Sequence, residues 1–101
     1  MEKDTLAKKL QYTNISANAS RQRIQQLCET AAEYGFDAVM IQPCWITLAR
    51  EILCGTGIHV ASAIAYPMGG DTTTMKVGLA REIVALGVDE FDFQPNIGFL
   101  R

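Results

Sequence analysis

The chain has 101 residues, of which 49% are hydrophobic and 20% are charged, and its formal net charge at neutral pH is −2. This composition is typical of one globular domain and excludes a disordered chain. The small negative charge and the lack of a basic stripe argue against nucleic acid as a partner. The apolar run 59–70 contains Pro67, Gly69 and Gly70 and is too short to cross a bilayer, so no membrane partner is expected.

The first part of the chain predicts a lead-in, a helix and a strand. Residues 6–10 are interpreted as a helical turn and residues 11–15 as an extended lead-in. Ser20 has the residue type of a helix N-cap, and apolar side chains recur behind it at helical spacing until Gly35, where a left-handed C-cap is expected. Residues 36–42 are a short apolar run that ends at a proline, which is typical of a buried strand.

The second part continues the same alternation. Residues 45–53 carry a second apolar helical stripe, and residues 59–65 are the next apolar run. A third helix takes its N-cap from Asp71 or Thr72 and ends before a glycine. A third strand then covers about residues 90–94.

The third strand distinguishes between two architectures. Phe91 and Phe93 alternate with Glu90, Asp92 and Gln94, so one face of this strand is aromatic and the other is polar. A polar face favours a barrel wall around a cavity, whereas the alternative, a flavodoxin-like sheet, has helices over both faces. We expect an α/β fold, a partial (β/α)8 TIM barrel with an N-terminal helical segment and three parallel strands alternating with helices. Residues 1–101 would then form a single truncated domain.

The C-terminal ends of the strands form the active site in such a barrel, and here they carry Gln42, residues 66–71 and the polar residues of the third strand. Asp92 is the strongest candidate for a catalytic group. Burying a carboxylate on the face of a cavity costs free energy, so such a group is expected to have a binding partner or a catalytic role. The alternative is a structural carboxylate held by backbone amides or by a lysine. Glu90 lies deeper and is expected to be an internal ion-pair partner.

Other polar residues are assigned no chemistry. Residues 66–74 resemble a phosphate-binding turn only in their glycines, and a tight turn before a capped helix is favoured. His59 starts a strand at the end remote from the site, and without a second clustered ligand neither a metal nor another cofactor is expected. Lys76 and the lysines of the lead-in lie off the strands. None of them is expected in a desolvated pocket suited to Schiff-base formation.

The cysteines and the N-terminus both bear on location. Cys28, Cys44 and Cys54 show no C-x-x-C spacing, and each falls in or beside a predicted helix. We expect three buried free thiols, as in a cytoplasmic protein. The polar residues 1–4 are not followed by the apolar segment of a signal peptide, which agrees with a cytoplasmic location.

Three segments together resemble a known family: 41–45 (Ile-Gln-Pro-Cys-Trp), 65–73 (Ala-Tyr-Pro-Met-Gly-Gly-Asp-Thr-Thr) and 89–98 (Asp-Glu-Phe-Asp-Phe-Gln-Pro-Asn-Ile-Gly). In this order and spacing they are similar to the successive strand-end motifs of deoxyribose-phosphate aldolase, and the similarity extends over residues 6–101. The resemblance implies a class I aldolase on a (β/α)8 barrel. Such an enzyme reversibly cleaves 2-deoxyribose 5-phosphate to acetaldehyde and glyceraldehyde 3-phosphate, in deoxynucleoside breakdown, through a lysine Schiff base and without a metal.

The resemblance also implies roles for individual residues. Asp92 falls on the proton-relay aspartate, Thr13 and Met40 fall on positions that line the substrate pocket, and Gln94 is expected to bind substrate beside them. The family's Asp-His-Thr motif is replaced at 11–13 by Gln-Tyr-Thr. The Schiff-base lysine, a second active-site lysine and the phosphate-binding loops belong to later strands, so the isolated chain is expected to be inactive.

The predicted sheet also suggests self-association. A three-stranded sheet has two open edges and an uncovered inner face, which favour contact with another copy. We expect a homo-oligomer through these surfaces, and the alternative function is a non-catalytic, self-assembling barrel fragment. A flavodoxin-like module that binds a small ligand is a further alternative. The partner of the complete enzyme would be a small phosphorylated sugar or aldehyde.

Overall fold

A computed structural model describes residues 11–16, 18–64 and 69–96. Helices and strands alternate in the predicted order, whereas the helical turn predicted at 6–10 lies outside the described residues. The elements are β1 (Gln11–Asn14), α1 (Arg21–Tyr34), β2 (Ala38–Ile41), a 3₁₀ turn (Pro43–Trp45), α2 (Ile46–Ile52), β3 (His59–Ile64), α3 (Thr73–Ala85) and β4 (Glu90–Phe93). Among the described residues, no helix is both long enough and apolar enough to cross a membrane.

The four strands form one parallel sheet in the order β1-β2-β3-β4. The sequence predicts three of them, and the fourth is the extended lead-in, which pairs with β2 from Gln11↔Ala38 to Asn14↔Ile41. A doubly wound sheet reverses its strand order part-way, so the sequential order excludes the flavodoxin-like alternative. The fold is that of a partial (β/α)8 barrel.

Local signals start and end the helices where the sequence predicts. The Ser20 hydroxyl accepts a hydrogen bond from the backbone N–H of Arg23 at 3.2 Å, and Gly35 ends α1 with a φ of 69°. The Thr72 hydroxyl accepts from the N–H of Met75 at 3.3 Å, so Thr72 rather than Asp71 caps α3. Each cap satisfies a backbone N–H that the first helical turn leaves without a partner.

All three helices pack against one face of the sheet, here called the outer face. Outward side chains of β2 and β3 meet the apolar stripes of the helices in a single core, which explains why these strands are apolar on that side. The core residues are Ile24, Leu27, Cys28, Ala31, Val39, Ile41, Ile46, Leu48, Ala49, Leu53, Val60, Ile64 and Ile83. Because side chains alternate along a strand, the residues between them project from the opposite, inner face.

The sheet is curved like a barrel wall. The Gln11 side-chain amide on β1 donates a hydrogen bond of 2.8 Å to the Glu90 carboxylate on β4. In a flat sheet these strands would be about 14 Å apart and their side chains would stand parallel, so the bond requires a concave inner face. The expectation of an ion pair for Glu90 is wrong, because its partner is the neutral amide of a strand that the sequence does not predict.

Candidate active site

Thr13 and Asp92 face each other on the inner face. Gln11 and Glu90 meet across the sheet, and Thr13 and Asp92 lie two residues further along the same strands, toward the C-terminal ends. Thr13 pairs in register with Met40, and Asp92 pairs with Ala63. The concave wall therefore brings a hydroxyl and a carboxylate to opposite sides of one space, at the end where a parallel barrel has its active site.

The floor between these two residues consists of β2 and β3. Met40 is 6% exposed, and Ala38 and Ala61 are fully buried, although none of the three belongs to the outer core. The side chains of Met40, Ala38 and Ala61 between the two rims are thus buried, whereas Thr13 and Asp92 at the rims are exposed.

Gln94 lies just beyond β4, where the loop after β3 holds it. Its backbone N–H donates to the carbonyl of Ile64 at 3.1 Å, which extends the β3–β4 pairing by one residue. Gly69 packs so closely that a methyl group there would overlap the Pro95 carbonyl oxygen and come within 2.9 Å of Cγ of Gln94. The structure therefore places Gln94 at the same end of the sheet as Asp92.

Gln42 has a structural role near the candidate site. Its side-chain amide donates to the backbone carbonyls of Ile15 at 2.9 Å and of Ser16 at 3.2 Å. It thus ties the end of β2 to the loop after β1 and fixes the rim next to Thr13. This role depends on contacts 26 and 27 residues apart in the chain, which no local pattern reveals.

Asp89 acts at the opposite end of the strands. Its carboxylate accepts from the backbone N–H of Val60 at 2.8 Å and lies 4.0 Å from the guanidinium of Arg50. Arg50 also donates to the carbonyl of Gly87 at 2.6 Å, so this pair joins α2 to the start of β4. Asp89 is therefore structural, and β4 carries its candidate chemistry only at Asp92 and beyond.

Lys76 contradicts the expectation that no lysine lies in a desolvated place. Its side chain is 8% exposed, the ammonium donates to the carbonyl of Gly69 at 2.8 Å, and it lies 5.0 Å from the centroid of the Phe93 ring. The Gly69 carbonyl and the Phe93 ring thus lie against the ammonium group of this side chain. Lys76 is nevertheless on the outer face, on the other side of the sheet from Asp92.

His59 starts β3 and is exposed, as the sequence predicts. Within 11–16, 18–64 and 69–96, no three His, Cys, Asp or Glu side chains cluster as metal ligands would. The candidate site contains the hydroxyl of Thr13, the carboxylate of Asp92 and the amide of Gln94, which are groups that can form hydrogen bonds.

The cysteines differ from the expectation of three buried thiols, because Cys28 is buried whereas Cys44 and Cys54 are exposed. The two exposed residues lie in the turns before and after α2 rather than on its apolar side. Burial, together with the negative charge of Glu29, raises the pKa of the Cys28 thiol from about 9 to about 11. Cys28 therefore stays a protonated thiol at neutral pH, and only the thiolate is a good nucleophile.

These thiols should react in two classes with Ellman's reagent at about pH 8. We expect Cys44 and Cys54 to react rapidly in the native chain, and Cys28 to react only after denaturant is added. The variant Cys28→Ala should leave the fast reaction of the native protein unchanged and abolish the reaction that requires denaturant. Fast reaction of all three thiols in native protein would contradict the burial of Cys28.

Known proteins are similar in sequence to this chain. No protein-family model matches the chain. A deoxyribose-phosphate aldolase of Dictyoglomus turgidum is 41% identical over all 101 residues, and one of Aciduliprofundum boonei is 43% identical over the same length. The chain is a partial member of the deoxyribose-phosphate aldolase family. It spans about half the length of these relatives, since each alignment covers 100% of this chain and 46% of the relative.

Solved structures give the same result. A protein from Coccidioides immitis described as a candidate deoxyribose-phosphate aldolase superposes with a TM-score of 0.88 at 31% identity, over 92% of this chain and 37% of that one. The deoxyribose phosphate aldolase of Aeropyrum pernix, described as a unique tetrameric structure, superposes at 0.90 over 97% of this chain and 42% of that one. At 22% identity the second likeness shows the fold alone. The predicted fold and aldolase family are thus confirmed.

The departure from the aldolase motif at 11–13 has a structural counterpart. The Gln11 amide donates to Glu90 across the inner face, a bond that a carboxylate at position 11 would replace with like-charge repulsion. Gln11 therefore stabilises the curved wall. The roles of Asp92, Thr13, Met40 and Gln94 in aldol chemistry stay predictions.

Proposed function

We propose that this chain is the part of a deoxyribose-phosphate aldolase that carries the proton-relay carboxylate. The complete enzyme would reversibly cleave 2-deoxyribose 5-phosphate to acetaldehyde and glyceraldehyde 3-phosphate. The observation that supports this most is the position of Asp92 on the inner face near the C-terminal end of β4, across β2 and β3 from Thr13. Relatives named for this activity align with the whole chain.

The proposed chemistry divides between this chain and later strands. In a class I aldolase, a lysine amine condenses with the substrate aldehyde and releases water, and the resulting iminium accepts the electron pair of the breaking carbon–carbon bond. Glyceraldehyde 3-phosphate then leaves, and the remaining enamine needs a proton before hydrolysis frees acetaldehyde. Asp92 would relay that proton, while Thr13, Met40 and Gln94 would contact the substrate.

Three broader properties belong to the same proposal. Residues 1–101 would form a single truncated domain, the complete enzyme would act in the cytoplasm in deoxynucleoside breakdown, and copies would associate as a homo-oligomer. Exposed aromatic side chains on β1 and β4, the two outer strands of the described sheet, support the association.

A chimera tests the aldolase function directly. In the Dictyoglomus turgidum relative, the segment that this chain matches would be replaced by residues 1–101, and cleavage of 2-deoxyribose 5-phosphate would be coupled to a dehydrogenase that reduces the triose phosphate. We expect measurable turnover that depends on the relative's own strands. A folded chimera without turnover, beside an active parent relative, would contradict the proposal.

The isolated chain should form no specific imine. Borohydride with acetaldehyde or with 2-deoxyribose 5-phosphate should give only slow, scattered labelling, because none of the described strands carries a lysine. Intact mass and peptide mapping would detect the adducts, and Lys76→Met serves as the control at the buried amine. A saturating adduct on Lys76 would show that this chain has a nucleophile of its own.

A second candidate function is self-assembly without catalysis. The exposed aromatic residues of the described strands lie on the two edge strands: Tyr12 on β1 is 38% exposed, and Phe91 and Phe93 on β4 are 41% and 55% exposed. Apolar edges of this kind favour pairing with another strand. Sedimentation of the isolated chain tests this function, and a monomer at all concentrations would contradict it.

A further inference from the structure

We propose that Lys76 is a positioning residue for the candidate site. From the outer face of the sheet, its ammonium group holds the Gly69 carbonyl and thereby sets the position of Gln94 at the end of β4. The inference rests on the function proposed above, in which Gln94 contacts the substrate. Lys76 itself takes no part in bond making or breaking, because Asp92 lies on the other side of the sheet.

The burial of Lys76 is not explained by its own helix. The residue lies in the first turn of α3 and is only 8% exposed, whereas lysine is rarely buried without a partner. Burying an ammonium group costs free energy, and a cation near the N-terminus of a helix is opposed by the helix dipole. Contacts outside α3 must therefore hold Lys76 in this position.

Two contacts meet this requirement. The ammonium group donates a hydrogen bond of 2.8 Å to the Gly69 carbonyl and lies 5.0 Å from the centroid of the Phe93 ring, a cation–π distance. Helical side chains lean toward the N-terminus of their helix, so Lys76 can reach a carbonyl that precedes α3. One ammonium group thus joins the segment before α3 to the last residue of β4.

Gly69 transmits this contact to Gln94. A methyl group on Gly69 would overlap the Pro95 carbonyl oxygen and come within 2.9 Å of Cγ of Gln94, so the Gly69 backbone lies directly against both residues. The bond from the Gln94 N–H to the Ile64 carbonyl fixes only the backbone of Gln94. The position of its side chain therefore depends on Gly69, which Lys76 holds.

Asp92 does not depend on Lys76 in the same way. It lies inside β4 and pairs in register with Ala63 of β3, whereas Gln94 follows the end of the strand. Loss of the ammonium group should therefore move Gln94 and leave Asp92 in place. In an enzyme this difference predicts weaker substrate binding, seen in KM, without a matching loss in kcat.

Nuclear magnetic resonance of the full chain, labelled with ¹⁵N, tests the positional link without an activity assay. Lys76→Met keeps the apolar stem of the side chain but removes the ammonium group. We expect the side-chain amide signals of Gln94 and the backbone amide signal of Gly69 to shift or broaden. The side-chain amide signals of Gln25 on α1 should stay unchanged. Arg81→Met, which removes an exposed cation from the same helix, is the matched control and should leave Gln94 unchanged.

Kinetics of the chimeric aldolase test the consequence for the substrate. Lys76→Met should raise the KM for 2-deoxyribose 5-phosphate by about tenfold, the effect of losing one hydrogen bond to a charged ligand, and leave kcat within about twofold. A loss of folded enzyme would instead lower kcat at unchanged KM. Lys76→Arg can still donate to the carbonyl and lie over the ring, so its KM should stay within about threefold of the parent.

A double variant shows whether Lys76 acts through Gln94. Gln94→Ala alone should raise KM, because it removes the amide that would contact the substrate. Adding Lys76→Met to Gln94→Ala should raise KM no further, since the side chain that Lys76 positions is then absent. Effects on KM that multiply in the double variant would overturn the inference.

The outcomes separate this inference from the aldolase function. A folded chimera without turnover would contradict the aldolase function, and the spectrum of Lys76→Met would then decide the link to Gln94 by itself. Unchanged Gln94 signals in Lys76→Met would overturn the inference even in an active chimera, and so would an unchanged KM. Circular dichroism of each variant shows that the changes do not reflect loss of the fold.

Discussion

Replacing Asp92 by Asn in the chimeric aldolase is expected to lower the rate of 2-deoxyribose 5-phosphate cleavage by about 10²- to 10⁴-fold. Asparagine keeps the size of the side chain and one acceptor oxygen but cannot take up and return a proton at neutral pH. Asp92 is exposed on the inner face at the C-terminal end of β4, where the proposed intermediate would lie. The loss should appear in kcat, measured by the coupled triose phosphate assay.

Two controls identify the cause of that loss. Asp71→Asn changes another exposed carboxylate, which precedes α3 on the outer side of the sheet, and activity should stay within about twofold of the parent chimera. Borohydride trapping of the chimera should still label its Schiff-base lysine in Asp92→Asn, because imine formation does not need the relay. An Asp92→Asn chimera with parental kcat would show that Asp92 is a structural carboxylate.

Substituting Gly69 by Ala should destabilise the chain by about 3 kcal/mol or more. The backbone at Gly69 has a φ of +69°, and a methyl group there would overlap the Pro95 carbonyl oxygen and come within 2.9 Å of Cγ of Gln94. Left-handed strain contributes about 1–2 kcal/mol and overpacking about 1–3 kcal/mol. Urea denaturation followed by circular dichroism, at one fixed protein concentration, measures the change.

Gly57→Ala is the matched control for Gly69→Ala. Its φ is +77°, and a methyl group at Gly57 meets nothing within 4 Å, so only the left-handed strain of about 1–2 kcal/mol remains. The difference between the two variants isolates the close contact between the loop after β3 and the end of β4. Equal destabilisation of both variants would mean that this contact yields at little cost and does not hold Gln94 in place.

The helices and the buried strands could be predicted because their signals are local. Ser20 and Gly35 bound α1 through groups within four residues of the helix ends, and the apolar runs of β2 and β3 are buried as expected. The β1 strand could not be predicted as part of the sheet. Its residues are polar or aromatic on both faces, and its pairing with β2 depends on a partner 27 residues away.

The same distinction between local sequence patterns and long-range contacts applies to the candidate site. The alternation along β4 places Asp92 on the polar face, so its projection into the cavity follows from neighbouring residues. The prediction that Lys76 is not buried was wrong. Its burial depends on the Gly69 carbonyl and the Phe93 ring, which come close to Lys76 only in the folded chain. The prediction of an ion pair for Glu90 was wrong for the same reason, because its partner Gln11 lies on a distant strand.

By itself, the sequence determined the alternation of helices and strands, the caps, the polar face of the last strand and the aldolase resemblance. Each of these depends on residue types at short spacings, where periodicity and capping act. The tertiary structure alone decided the fourth strand, the curvature that brings Gln11 to Glu90, the burial of Lys76 and the exposure of the aromatic residues on both edges. These features arise from contacts between segments that are distant in the chain. Such contacts stabilise the structure only once the chain has folded around its core.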